Sequence, residues 1–86
     1  MPLTVEMVST TQKVWAGEAS TVVLRTLDGE IGILPGHSPL LAILGDGPVL
    51  VRATDGSEVT ARVNGGFVTV DSDNVIILGE EVTTSS

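Results

Sequence analysis

The sequence predicts an all-β domain, a sandwich or barrel of short strands, and three observations carry that expectation. Apolar residues recur with period two along most of the chain, the spacing of a strand with one face inward and one in solvent. The pairs Asp28-Gly29, Asp55-Gly56 and Asn64-Gly65 punctuate these segments at short intervals, and each supplies residues that tolerate positive φ in tight turns. No segment has a convincing helical period, and ten glycines with four prolines would interrupt most helices.

The elements follow in chain order. In "LTVEMVS", Leu3, Val5 and Met7 point one way and Thr4 and Glu6 the other. The stretch "GEIGILPGHSPLL" sets Ile31, Ile33 and Leu34 before a Pro35-Gly36 pair and Pro39, Leu40 and Leu41 after His37. Pro35 presets φ at the second position of a turn and Gly36 takes the positive φ of a type II turn. That geometry would hold His37 on a rigid tip beside the Asp28-Gly29-Glu30 turn. In "SPLLAIL", Ser38 stands where a helix cap would, but the run is short and apolar, and it is read as a strand. Asp55-Gly56 between "PVLVRAT" and "EVTARVN" is the clearest hairpin signal. Asp73-Asn74 likewise separates "FVTV" from "VIILG". The polar ending "EEVTTSS" reads as a tail that frays over residues 81–86. There is no internal repeat or linker, and 86 residues suit a single domain over 1–86. At ordinary per-residue values such a domain is stable by about 4–13 kcal/mol.

Composition excludes several function classes. Four basic residues, Lys13, Arg25, Arg52 and Arg62, face eleven acidic ones, for a formal charge of −7. The aromatics are Trp15 and Phe67 alone. Nucleic-acid binding needs a basic groove with stacking platforms, so no nucleic-acid partner is expected. The acidic balance argues against direct contact with anionic lipid, and no apolar run approaches the roughly 20 residues that span a bilayer. The N-terminus lacks a basic region followed by an apolar core, so no signal peptide is expected. Without cysteine there is neither a disulfide framework nor a thiolate metal site.

The residues of the chain do not compose a catalytic or metal-binding motif. A nucleophile triad needs Ser, His and a carboxylate to converge, and Ser38, next to His37, would point to the opposite face of an extended chain. A hydrolase built on His37 is therefore the weakest of three readings. One histidine without cysteine cannot make a zinc site. "DSDNVI" puts Val75 and Ile76 where a calcium loop needs a ligand and a glycine. "GDGPVL" lacks the third glycine of a phosphate cradle and has Pro48 where a backbone donor is wanted. No catalytic residue, metal or cofactor is expected.

The ordered set "GEIGILPGHSPLLAIL", "VNGGFVTV" and "NVIILGEEV", with "LTVEMVS" and "VWAGEAS" before it, resembles the epsilon subunit of F-type ATP synthases. The resemblance covers essentially the whole chain. It implies a flattened ten-stranded β-sandwich with no catalysis of its own. It also implies a rotor subunit in the central stalk, bound to the gamma subunit and the c-ring, at the cytoplasmic face of a bacterial cell membrane, and coupling proton flow to ATP synthesis. On this likeness Glu30, Gly36, His37, Ser38 and Pro39 match turns that meet the c-ring or gamma, Pro35 shapes the turn, and Gly65 and Gly66 match paired glycines at a bend or bulge. Family members commonly continue into two C-terminal helices, which have no counterpart before Ser86, so no inhibitory or ATP-sensing role is expected of these residues. The competing reading is a stand-alone β-sandwich adaptor that binds some other protein.

Overall fold

A computed structural model describes residues 2–85, all strand or connecting turn. The seven strands are β1 (Leu3–Ser9), β2 (Lys13–Thr26), β3 (Gly29–Ile33), β4 (Leu40–Ile43), β5 (Gly47–Ala53), β6 (Glu58–Asp71) and β7 (Asn74–Ser85). Period-two patterning becomes burial directly: β1 buries Leu3, Val5 and Met7 completely, and β6 buries Val59, Ala61, Val63, Val68 and Val70.

Hydrogen-bonded order runs β1-β7-β6-β5-β2-β3, and β1 also pairs with β2. Five strands therefore close into a barrel, with β3 flanking β2 and β4 flanking β6. Every pairing is antiparallel except β1 with β7. The core is aliphatic, from Leu3 and Val5 round to Val75 and Ile77, and burying each such side chain contributes about 1.5–3 kcal/mol. Thr26, the one buried polar residue among those described, donates from Oγ1 to the Gly29 carbonyl (3.0 Å) and accepts from the Asp28 N–H (3.1 Å).

The expected ten strands are corrected to seven, because three strands are long and change neighbours part-way. β2 leaves β1 at Ala19 and continues between β3 and β5. β6 pairs with β5 up to Val63 and with β4 from Phe67. β7 holds β1 only over Asn74–Gly79 but β6 throughout. Counting each of the three as two arms recovers ten segments, and the outline, 29 × 26 × 20 Å, is flattened as expected. A bulge bends β2: the register shifts between Ala19 and Thr21, and the Ser20 hydroxyl donates to the Arg52 carbonyl at 3.2 Å.

Glycines bend β6, which corrects the reading of Asn64-Gly65 as a tight turn. Gly65 has φ 64°, yet the register with β7 is the same on both sides, Asn64 opposite Glu81 and Gly66 opposite Gly79. The pair is thus a bend within a strand and not a bulge. A Cβ on Gly66 would collide with the Leu78 carbonyl oxygen and stand 2.7 Å from Gly79 Cα. The Gly66 carbonyl accepts from the Leu44 N–H at 2.9 Å, which brings the end of β4 to the bend.

Other turns sit close to their expected places. The β2–β3 turn falls on Leu27-Asp28, one residue early, with Gly29 already paired to Thr26. Ser72 (φ 50°) and Asp73 (φ 63°) form the β6–β7 turn, again one residue earlier than read. Thr54–Ser57 connects β5 to β6 around Gly56 (φ 93°). The frayed tail is a correction too: residues 81–85 belong to β7, pairing from Asn64–Glu81 to Thr60–Ser85, and Val82 packs on the core. Backbone pairing is indifferent to side-chain polarity, so a polar ending extends a ladder as well as an apolar one. The last residue of that expected tail, Ser86, lies outside the described residues.

Two outcomes test these contacts. Gly66→Ala should destabilise the domain by at least about 2 kcal/mol through overlap with backbone that cannot move aside. Thermal unfolding should show a midpoint lower by roughly 8 °C or more. At the β5–β6 turn, the Ser57 hydroxyl (2.6 Å) and its N–H (2.9 Å) both donate to Asp55 Oδ1. The hydroxyl first, then the N–H, hold that carboxyl below its ordinary 3.8. A depressed carboxyl contributes stability above 3.8 that is lost as pH falls through the lowered value. The Ser57 amide proton resonance should therefore titrate with a midpoint below 3.8, and Asp55→Ala should abolish that titration.

Candidate functional site

The Leu34–His37 turn forms as its residues dictate. Pro35 takes the second position, Gly36 the third with φ 86°, and the His37 N–H closes the turn on the Leu34 carbonyl at 3.1 Å. His37 is half-buried, and its Nδ1 lies 2.7 Å from the Ser38 carbonyl oxygen. A carbonyl can only accept, so Nδ1 is assigned as the donor of this bond. Pro35, Gly36, Ser38 and Pro39 are exposed around it. Among the described residues His37 meets no hydroxyl or carboxylate and no cluster of metal-ligating side chains forms.

The tip is tied to the barrel at one point. The Gly36 N–H, which the turn itself does not use, donates to Asp73 Oδ1 at 2.8 Å. The Asp73 carbonyl in turn accepts from the Thr4 N–H at 2.8 Å. The tip, the β6–β7 turn and the start of β1 therefore share one end of the molecule.

Glu30 lies elsewhere. It is the second residue of β3, directly opposite Arg25 on β2, while the tip begins beyond the last residue of that strand. About 13 Å of extended chain separates Glu30 from Leu34. The expectation that His37 stands beside the Asp28-Gly29-Glu30 turn is thus corrected: β3 holds the two apart. Glu30 borders a shallow cavity of about 420 Å³ with Val23, Arg25, Pro48, Leu50 and Thr60. Gly65 and Gly66 take no part in either place, being at the bend of β6.

The largest feature was not anticipated. On the outer face of β4, β6 and β7, cross-strand neighbours form two rungs, Leu41–Thr69–Ile76 and Ile43–Phe67–Leu78. The second rung continues to Val8 on β1. Leu41 is 70%, Ile43 55% and Ile76 42% exposed, and Leu27, 72% exposed, joins the edge through its N–H bond to the Ile43 carbonyl. A contiguous apolar face of this kind marks an interaction surface. The opposite outer face instead carries Arg25, Arg52 and Arg62 among Thr21, Val23, Leu50, Glu58 and Thr60. A signal existed in the sequence: "LLAIL" and "VIIL" are apolar at both parities, so each strand must have an apolar side outside the core.

Comparison with known proteins agrees with this architecture. Residues 2–85 match the family described as "ATP synthase, Delta/Epsilon chain, beta-sandwich domain". A protein of Micrococcus luteus named ATP synthase epsilon chain is 60% identical over 75 residues, covering 87% of this chain and 82% of that one. One of the same name from Frankia casuarinae is 49% identical over 80 residues, covering 93% and 94%. Another, from Streptomyces avermitilis, is 47% identical over 78 residues, and there the match spans 63% of the relative's length. A chain of the Euglena gracilis mitochondrial ATP synthase structure, "OSCP/F1/c-ring in rotational state 1", superposes with a TM-score of 0.90 at 22% identity, covering 96% of this chain and 53% of that one. A chain of the Tetrahymena thermophila mitochondrial ATP synthase "central stalk/cring" structure superposes with a TM-score of 0.79 at 18% identity, covering 95% and 66%. The chain belongs to the family of ATP synthase delta/epsilon chain β-sandwich domains.

Proposed function

We propose that this chain is a non-catalytic central-stalk subunit of a proton-translocating F-type ATP synthase, bound to the gamma subunit and the c-ring at the cytoplasmic face of the cell membrane. The observation that carries the reading is the apolar outer face of β4, β6 and β7, on a member of this family. A face holding Leu41, Ile43, Phe67, Ile76 and Leu78 is costly to leave in water and suits burial against gamma. The relatives' shared name and the assemblies in which the superposed chains occur support the same placement.

Glu30 and the Gly36–Pro39 tip serve as polar docking edges. An exposed carboxylate on a chain of charge −7 fits basic loops of the c-ring, giving orientation more than affinity. The separation of Glu30 from the tip along β3 makes them two contacts and not one. Between such contacts a closed barrel with a packed aliphatic core transmits force without internal yielding. The role is mechanical, with no bond made or broken on this chain.

The chain should co-purify with its cognate gamma subunit at micromolar concentration without a crosslinker, and failure to do so would remove the reading. Leu41→Ser combined with Ile43→Ser should abolish that co-purification while the thermal midpoint shifts little, because both side chains are exposed. Glu30→Lys should weaken docking on the c-ring with a salt-dependent loss in association rate. A large fall in its thermal midpoint would instead make Glu30 structural.

A further inference from the structure

We infer that Asp73 is the positioning residue that fixes the His37-Ser38-Pro39 tip for docking, an inference that rests on the rotor reading above. The tip is carried between β3 and β4, the two flanking strands, each laddered along its length to one strand only, β2 and β6, with β4 tied a second time only at its far end, where Leu27 N–H donates to the Ile43 carbonyl. It is therefore the part of the docking surface with the least support from the barrel.

Its own hydrogen bonds do not supply that support. The His37 N–H to Leu34 and His37 Nδ1 to Ser38 bonds are internal to the loop and would travel with it if it swung. The Gly36 N–H to Asp73 Oδ1 bond is different, since it crosses 37 residues of sequence to the β6–β7 turn. A carboxylate acceptor makes it a charge-assisted bond, stronger than a neutral one. Asp73 is itself immobilised, because its carbonyl accepts from the Thr4 N–H of β1 at 2.8 Å. One residue thus joins β1, the β6–β7 hairpin and the tip.

The backbone at Asp73 points the same way. Its φ of 63° lies in the left-handed region, where glycine sits without strain and most L-residues do not. A turn of this hand would be served at least as well by glycine at its second position. The side chain present there holds the Gly36 amide instead.

That conformation also makes a clean test. Asp73→Gly deletes the carboxylate and keeps the turn, while Asp73→Asn keeps an Oδ1 acceptor and tolerates positive φ. In the full chain, hydrogen exchange at the Gly36 amide should rise roughly tenfold or more in Asp73→Gly and stay near wild type in Asp73→Asn. Exchange at the core amides of Val68 and Ile77 should not change in either. Docking onto gamma or the c-ring should weaken about fivefold or more in Asp73→Gly and be restored in Asp73→Asn. Unchanged exchange at Gly36 in Asp73→Gly overturns the latch. Faster exchange with unchanged docking overturns the positioning role. A wild-type chain that binds neither partner overturns the rotor reading and the docking role with it, and the exchange comparison still decides whether the latch exists.

Discussion

Everything in this fold is arranged around the close approach of Gly66 to the backbone of β7. Only hydrogen fits where a side chain on Gly66 would point, because the Leu78 carbonyl and Gly79 occupy that space. The approach lets β6 bend while its register with β7 stays unbroken. One continuous strand then serves β5 before the bend and β4 after it. Without the bend, β4 would have no ladder to join, and the apolar outer rungs would lose one of their three strands.

Closure of the barrel follows from the same economy of strands. Parallel pairing of β1 with β7, together with β1–β2, joins the two ends of the five-strand sheet and leaves the short flanking strands β3 and β4 as its edges. A core of aliphatic side chains suffices because the barrel is narrow and the inward residues interdigitate from all sides. Trp15, half-buried, packs against its edge with its ring over Gly17, where an added Cβ would lie 2.9 Å from the ring carbons. Among the described residues the polar work of the interior falls to Thr26, whose hydroxyl satisfies one turn amide and one carbonyl.

Division of the outer surface then gives so small a chain two distinct faces for the role proposed above. One sheet face is apolar, the opposite face carries three of the four basic residues, and Glu30 and the Gly36–Pro39 tip sit at separated positions along β3 and beyond it. In the role proposed above, a stiff adaptor with distinct contacts is of more use than an active site. His37 fits that account as a shaped, hydrogen-bonded part of a rigid tip with no nucleophile or carboxylate in reach.

Sequence alone determined the all-β class, the inward residues of β1, the type II turn at Pro35-Gly36 and the Asp55-Gly56 hairpin between two alternating strands. Each depends on side-chain parity or on φ preferences within a few residues, which are written locally. Resemblance legible in the same residues supplied the family. Only the tertiary structure decided that Asn64-Gly65 is a bend inside a strand, that residues 81–85 extend β7, and that three long strands replace what reads as six short ones. Only it, too, assembled Leu41, Ile43, Phe67, Ile76 and Leu78 into one face, separated Glu30 from His37, and brought Asp73 to Gly36. The reason is common to all of these. A residue's parity says which way it points, but which strand lies beside it, and whether the chain turns or merely bends, is settled by partners tens of residues away.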